Sequence, residues 1–201
     1  ENTEILINRI IGLIFGGILV ASIFYIKQRK IEFKNTFIDI INDVDFNTER
    51  TKWQLKFAFV TTSAIMIGEF LHIPRAMWIG IACMSVFHPD KSQLQIRYKQ
   101  RMLYMVLGCL MYMSIYFLIP QQFRGLIGLI GGVMIGFSGT YKWQTVFNAF
   151  GALSAATPIL GVGGAIIFRI LNNVFGALYS KGFDYIINFI DNKEFTNVNE
   201  A

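Results

Sequence analysis

Hydrophobic positions in this chain come in long unbroken blocks rather than in alternation or in amphipathic stripes. No Asp, Glu, Lys or Arg occurs from Ile10 to Ile26, from Met102 to Phe123, from Gly125 to Tyr141 or from Trp143 to Phe168. A helix needs about 20 apolar residues to cross bilayer hydrocarbon. Blocks of this length therefore predict membrane-spanning helices. The chain divides into about seven apolar segments, near 5–26, 54–73, 76–88, 102–119, 123–140, 143–160 and 165–190. The expected fold is all-α, a polytopic helical membrane protein. The third segment is short, so it either re-enters the membrane or completes its crossing through the polar end "FHPD".

Composition agrees with the pattern. Hydrophobic residues make up 54% of the 201 and charged residues 15%, where soluble domains carry about 25% charge. Mean hydropathy is +0.48. If every segment crosses, fourteen of the 18 Lys and Arg fall on one face and four on the other. The positive-inside rule makes the rich face cytoplasmic, with the C-terminus inside and the cell membrane as the location. The net charge of +5 mostly records this orientation. Trp53, Trp78 and Trp143 each stand at a segment start, as interfacial tryptophans do. The one polar linker, "KQRKIEFKNTFIDIINDVDFNTER" at 27–50, mixes both charge signs and suits a short surface helix. Residue one is Glu, and the segment after it is too long for a signal peptide; it reads as a transmembrane helix inside a longer chain. Cys83 and Cys109 both lie in apolar sequence and read as packing residues, with no metal site or disulfide.

An arginine followed seven residues later by a glycine recurs: Arg9 to Gly16, Arg101 to Gly108, Arg124 to Gly131 and Arg169 to Gly176. Seven residues are about two helical turns, so each pair shares one stripe. Arg101 opens the third segment of the triplet 54–119, and Arg169 opens the third segment of the triplet 123–190. Three crossings each means opposite orientation, the plan of a 3+3 inverted repeat.

The stretch "WQLKFAFVTTSAIMIGEFLHIPRAMWIGIACMSVFHPDKSQLQIRYKQRMLYMVLG" resembles the core of the fusaric-acid-resistance (FUSC-type) membrane proteins, relatives of the aromatic acid exporters. The matching features are a basic-flanked helix, Trp78 after a short turn, Pro89 closing the next segment, a basic loop, and Arg101 to Gly108. The family pattern there is Arg-x-x-Gly-Thr-x-x-Gly. This chain keeps both ends but has Tyr104-Met105 in the middle. Arg169 and Gly176 match a second such helix. The resemblance implies a six-helix unit at 51–191 and a cytoplasmic tail at 192–201. It implies that 1–26 is the last helix of a preceding repeat, joined by the cytoplasmic linker 27–50. It further implies efflux of small organic anions, aromatic carboxylic acids among them.

Candidate chemistry is confined to a few polar residues. An arginine in apolar sequence holds a carboxylate through two parallel hydrogen bonds, or it snorkels to headgroups. Arg169, Arg101, Asn172 and Asn173 are the candidate substrate residues, the asparagines serving otherwise as interhelical hydrogen-bond partners. Glu69, His72, His88 and Asp90 are candidate proton carriers, or ordinary polar helix ends. Gly12, Gly16, Gly108, Gly128, Gly132, Gly136 and Gly176 are candidate helix-packing positions. No nucleophile elbow, phosphate-binding loop or zinc-protease motif occurs, so no enzyme, cofactor or metal is expected. The basic loop 91–101 suits anionic lipid, not nucleic acid. Expected partners are the lipid bilayer, a small organic anion, and either a second copy or the helices of a preceding repeat. A passive anion channel and a membrane scaffold subunit remain alternatives to a gradient-driven exporter.

Overall fold

The computed structural model describes residues 2–31, 36, 38–39, 45–46 and 48–199. These form helices α1 (Asn2–Gln28), α2 (Glu49–Phe70), α3 (Met77–Val86), α4 (Lys91–Leu118), α5 (Leu126–Phe137) and α6 (Tyr141–Asn199), with a 3₁₀ turn at Gln121–Phe123. No strand occurs among the described residues. Among the described residues, three helical stretches are long and apolar enough to cross a membrane: Ile10–Gln28, Lys91–Leu118 and Tyr141–Ile187. Eleven of the 24 positions of the linker expected at 27–50 lie outside the described residues.

The chain forms two compact units, 1–46 and 47–201. In the first, α1 is apolar on every side, and nothing approaches within 4 Å of a Cβ built on Gly12, Gly16 or Gly17. The packing expected at Gly12 and Gly16 is therefore not made within the described residues.

In the second unit the helix boundaries have local causes. Thr48 caps α2 by accepting a hydrogen bond from the Thr51 amide, and Asp90 caps α4 by accepting from the Ser92 amide at 2.8 Å. Such caps satisfy amides that the first turn leaves without partners. Pro89 lacks an amide hydrogen and lies just beyond the end of α3. The α2–α3 loop holds two non-glycine residues in left-handed conformation, His72 at φ 52° and Arg75 at φ 60°.

Helix α6 is two helices joined at Gly161, whose φ of 68° and ψ of 168° no helix accommodates. Glycine takes this conformation without a Cβ clash, and Pro158 has already removed one ladder donor. The two arms run in opposite directions. Along the first arm, Gly108 of α4 meets Val146 and Ala149, and the Tyr112 hydroxyl lies 3.1 Å from that of Thr157, so this arm parallels α4. Along the second arm, Ile79 of α3 meets Gly176, and Phe87 meets Phe183, so this arm parallels α3. The short link from Val86 to Lys91 turns α4 back along α3, and the two arms of α6 are therefore antiparallel.

Close approach at two of the expected glycines is reciprocal. A Cβ on Gly176 would strike the Ile79 carbonyl and lie 2.8 Å from the Ala82 Cβ. One on Gly108 would lie 2.7 Å from the Val146 carbonyl and 3.0 Å from the Ala149 Cβ. Each glycine thus seats its helix on a backbone carbonyl and on the alanine three residues after it. Gly128 packs on Ser154 as expected, but Gly132 and Gly136 touch nothing within 4 Å. The packing face expected through Gly128, Gly132 and Gly136 is corrected by one residue. Ile127, Gly131 and the half-buried Ile135 recur every four positions and face α6, whereas 132 and 136 are turned away by the helical period.

Candidate functional site

Arg169 and Arg101 come together between α3, α4 and the second arm of α6. Arg169 is fully buried and Arg101 is 2% exposed. The Arg101 Nε donates to the Asn173 side-chain oxygen at 2.9 Å, and the Asn173 amide donates to the Arg169 carbonyl at 2.7 Å. Asn173 thus ties the Arg101 side chain to the turn of α6 that carries Arg169.

No carboxylate pairs with either arginine among the described residues. All three guanidinium nitrogens of Arg169, and NH2 of Arg101, are buried without a hydrogen-bond partner. Orphaned buried donors are costly and rare, and buried charges are ordinarily paired. One face of the Arg169 guanidinium is covered by the Trp78 ring, 4.9 Å from its centroid. Stacking occupies the face of the group and leaves its in-plane N–H fork unused. Such a fork matches a carboxylate in two parallel hydrogen bonds.

Arg97, one turn before Arg101 on α4, is half-buried and lies 5.5 Å from the centroid of the Tyr141 ring. The Tyr141 hydroxyl donates to Ser85 at 3.2 Å. Beside them is a cavity of about 300 Å³ bounded by Ser85, Arg101, Ile135, Tyr141, Thr145 and Asn148, with Gln144 at its rim. Three arginines thus lead inward with rising burial: Arg97, Arg101, Arg169.

The remaining sequence candidates lie elsewhere. Asn172 is buried and donates to the carbonyls of Pro74 and Arg75 at 2.9 and 3.1 Å, clamping the α2–α3 loop. Its role is to hold that loop, not to face the arginine pair. Glu69 and His72 are exposed where α2 ends. The His88 ring nitrogen accepts from the Asp90 amide. The Asp90 carboxylate is occupied as the α4 cap, and the Ser92 hydrogen bonds hold it below the usual carboxylate range. Hydrogen bonds to the charged form do this. No hydrogen bond or ion pair joins these four residues to the arginines. Trp78, expected at the membrane interface, is instead 5% exposed and belongs to the core. Its role beside Arg169 was not read from the sequence, because nothing in the linear pattern relates positions 78 and 169. Cys83 and Cys109 are buried free thiols.

The model of the fusaric acid resistance protein-like family matches residues 63–180. The chain belongs to this family. The match runs from α2 through the second arm of α6, so it contains both arginines and both asparagines and leaves α1 outside. Membership makes this a membrane protein of the transport and efflux type. No curated protein and no solved structure gives a significant match to the chain.

Proposed function

We propose that this family member exports small organic anions, aromatic carboxylic acids among them, across the cell membrane at the expense of an ion gradient, and that Arg101 and Arg169 hold the carboxylate. The observation carrying this reading is the pair of adjoining buried arginines with four guanidinium nitrogens left unbonded. A charge near a bilayer centre costs about 2.5–3.5 kcal/mol on insertion scales. Two charges with no protein counterion are suited to an anionic ligand.

The reciprocal seating of Gly108 and Gly176 supports the 3+3 inverted repeat. The third helix of each triplet rests on the second helix of the other, through equivalent carbonyl and alanine positions. The antiparallel arms of α6 support two crossings there, and hence seven in all. Asn173 is a positioning residue in this reading.

The test is efflux of benzoate from whole cells, normalised to protein in the membrane. Arg169→Lys keeps the charge but loses the planar fork, and efflux should fall about tenfold or more. Near-normal efflux by the Lys variant would leave the carboxylate site unassigned. Flux driven by the anion gradient alone, with no effect of collapsing ion gradients, would identify a passive channel. A stable complex with another protein and no flux would identify a scaffold.

A further inference from the structure

The end of α5 and the start of α6 enclose an apolar cleft of about 350 Å³, bounded by Met134, Phe137, Ser138, Gly139, Trp143 and Phe147. Trp143 and Phe147, one turn apart on the first arm of α6, stack with ring centroids 5.9 Å apart. Met134 and Phe137 of α5 stand opposite them. The turn between the helices is held by its own polar groups. The Ser138 hydroxyl donates to the Met134 carbonyl at 2.6 Å, and the Gln144 side-chain amide donates to the Ser138 carbonyl at 3.1 Å. The cleft opens outward, since Phe137 is 82% and Trp143 47% exposed. Beside it, the exposed Lys142 carries its ammonium over the Tyr104 ring of α4, 5.8 Å from the centroid. A ring occupies one side of an ammonium and leaves N–H donors for another acceptor. Lys142 makes no ion pair among the described residues. The surroundings supply no counter-charge either: from Lys91 to Phe183 the chain has eight Lys and Arg and no Asp or Glu.

We propose that this cleft is a binding site for an anionic phospholipid, with one acyl chain lying along Trp143 and Phe147 and the headgroup phosphate meeting Lys142. The level of each group along the helix fits a lipid entered from its headgroup. Lys142 and Trp143 are neighbours at the start of the arm, where an indole sits at headgroup depth. Phe147 lies about 6 Å further along the helix, where the chain is hydrocarbon. The chain alone confers no preference, because the lipid around the protein is as apolar as the cleft. Selectivity therefore belongs to the headgroup. A phosphatidylglycerol headgroup brings a net negative charge to Lys142. A phosphatidylcholine headgroup brings a compensating cation with its phosphate and gains little there. The site is independent of the buried arginine pair and does not rest on the efflux reading.

The test is quenching of Trp143 fluorescence by lipids brominated on their acyl chains. The full chain carrying Trp53→Phe is reconstituted in phosphatidylcholine vesicles, and the Trp143 signal is its difference from the chain carrying Trp53→Phe and Trp143→Phe. Brominated phosphatidylglycerol should quench this signal at about fivefold lower mole fraction than brominated phosphatidylcholine, the factor expected for one basic residue at an anionic headgroup. Lys142→Gln should bring the two lipids level, Lys142→Arg should keep them apart, and Lys99→Gln, at an exposed position on α4, should change nothing. In the parent chain the preference should shrink as salt is raised, which checks the headgroup role even if Lys142→Gln does not reconstitute. Equal quenching by the two lipids would mean ordinary boundary lipid and overturn the site. So would a preference that survives Lys142→Gln, is lost equally with Lys99→Gln, or ignores salt. Absence of quenching by either lipid would show the cleft covered by something else, such as a second copy of the chain, and would also overturn it.

Discussion

At the scale of single residues, Arg169 sets function against stability. Its side chain is buried with every guanidinium nitrogen unbonded, which is a net cost to the empty protein. Replacing buried charged groups by apolar residues of similar volume often stabilises a fold by about 1–4 kcal/mol. Arg169→Met should therefore raise the thermal midpoint of the purified protein while abolishing benzoate efflux. A lowered midpoint would mean that the arginine is a structural element after all. Asn172→Ala should act the other way. It removes two hydrogen bonds to the α2–α3 loop, each worth about 0.6–1.7 kcal/mol at membrane helix contacts, and the midpoint should drop. Four of the eight polar residues singled out in the sequence, Arg101, Arg169, Asn172 and Asn173, are buried, and they stood out because a charge or an amide in apolar sequence is expensive and so conspicuous. Their division of labour was not. Two consecutive asparagines look alike in a sequence, yet helical geometry turns one toward the loop and the other toward the arginines.

At the scale of elements, the apolar blocks located the helices, and the chemistry of ends corrected them. Helix α4 begins at Lys91, well before the apolar run at 102, because Asp90 supplies a cap and the polar first turns are still helix formers. Hydrophobicity measures what lipid tolerates, not where backbone hydrogen bonds start. The same distinction explains the glycines on α5. A repeat of Gly at every fourth position marks one stripe, but Gly131 on the neighbouring stripe is the one pressed against Phe150. Gly131→Val should destabilise the protein by about 1–3 kcal/mol, the usual cost of overpacking, whereas Gly132→Val should leave the thermal midpoint unchanged. Equal effects at the two positions would mean that another surface covers Gly132. Inequality between these neighbours is invisible to composition, since each has the same local sequence character.

At the scale of the whole molecule, family membership and helical class were readable from the sequence, while the meeting of Arg101 with Arg169 depends on long-range packing that no local pattern encodes. Orientation is the open consequence of the charge bias. Cysteines placed at Ser92 and Asn197, in a background lacking Cys83 and Cys109, should be inaccessible to membrane-impermeant reagents in intact cells and reactive after permeabilisation. Labelling of either from outside would reverse the assignment of faces. The turn at Gly161 also governs how such a protein is assembled. The second arm of α6 carries an arginine and two adjacent asparagines through its first half, and a segment of that kind partitions poorly from a translocation channel by itself. The preceding arm carries no charge from Trp143 onward and is joined to it with no linker at all. If the two arms cross the membrane separately, as proposed above, they would enter the lipid as one hairpin, in which the apolar arm draws its polar neighbour in. A helix-favouring residue at position 161, Gly161→Ala, should straighten this hairpin during synthesis and strand the arginine outside the membrane, an error that no later folding step could repair.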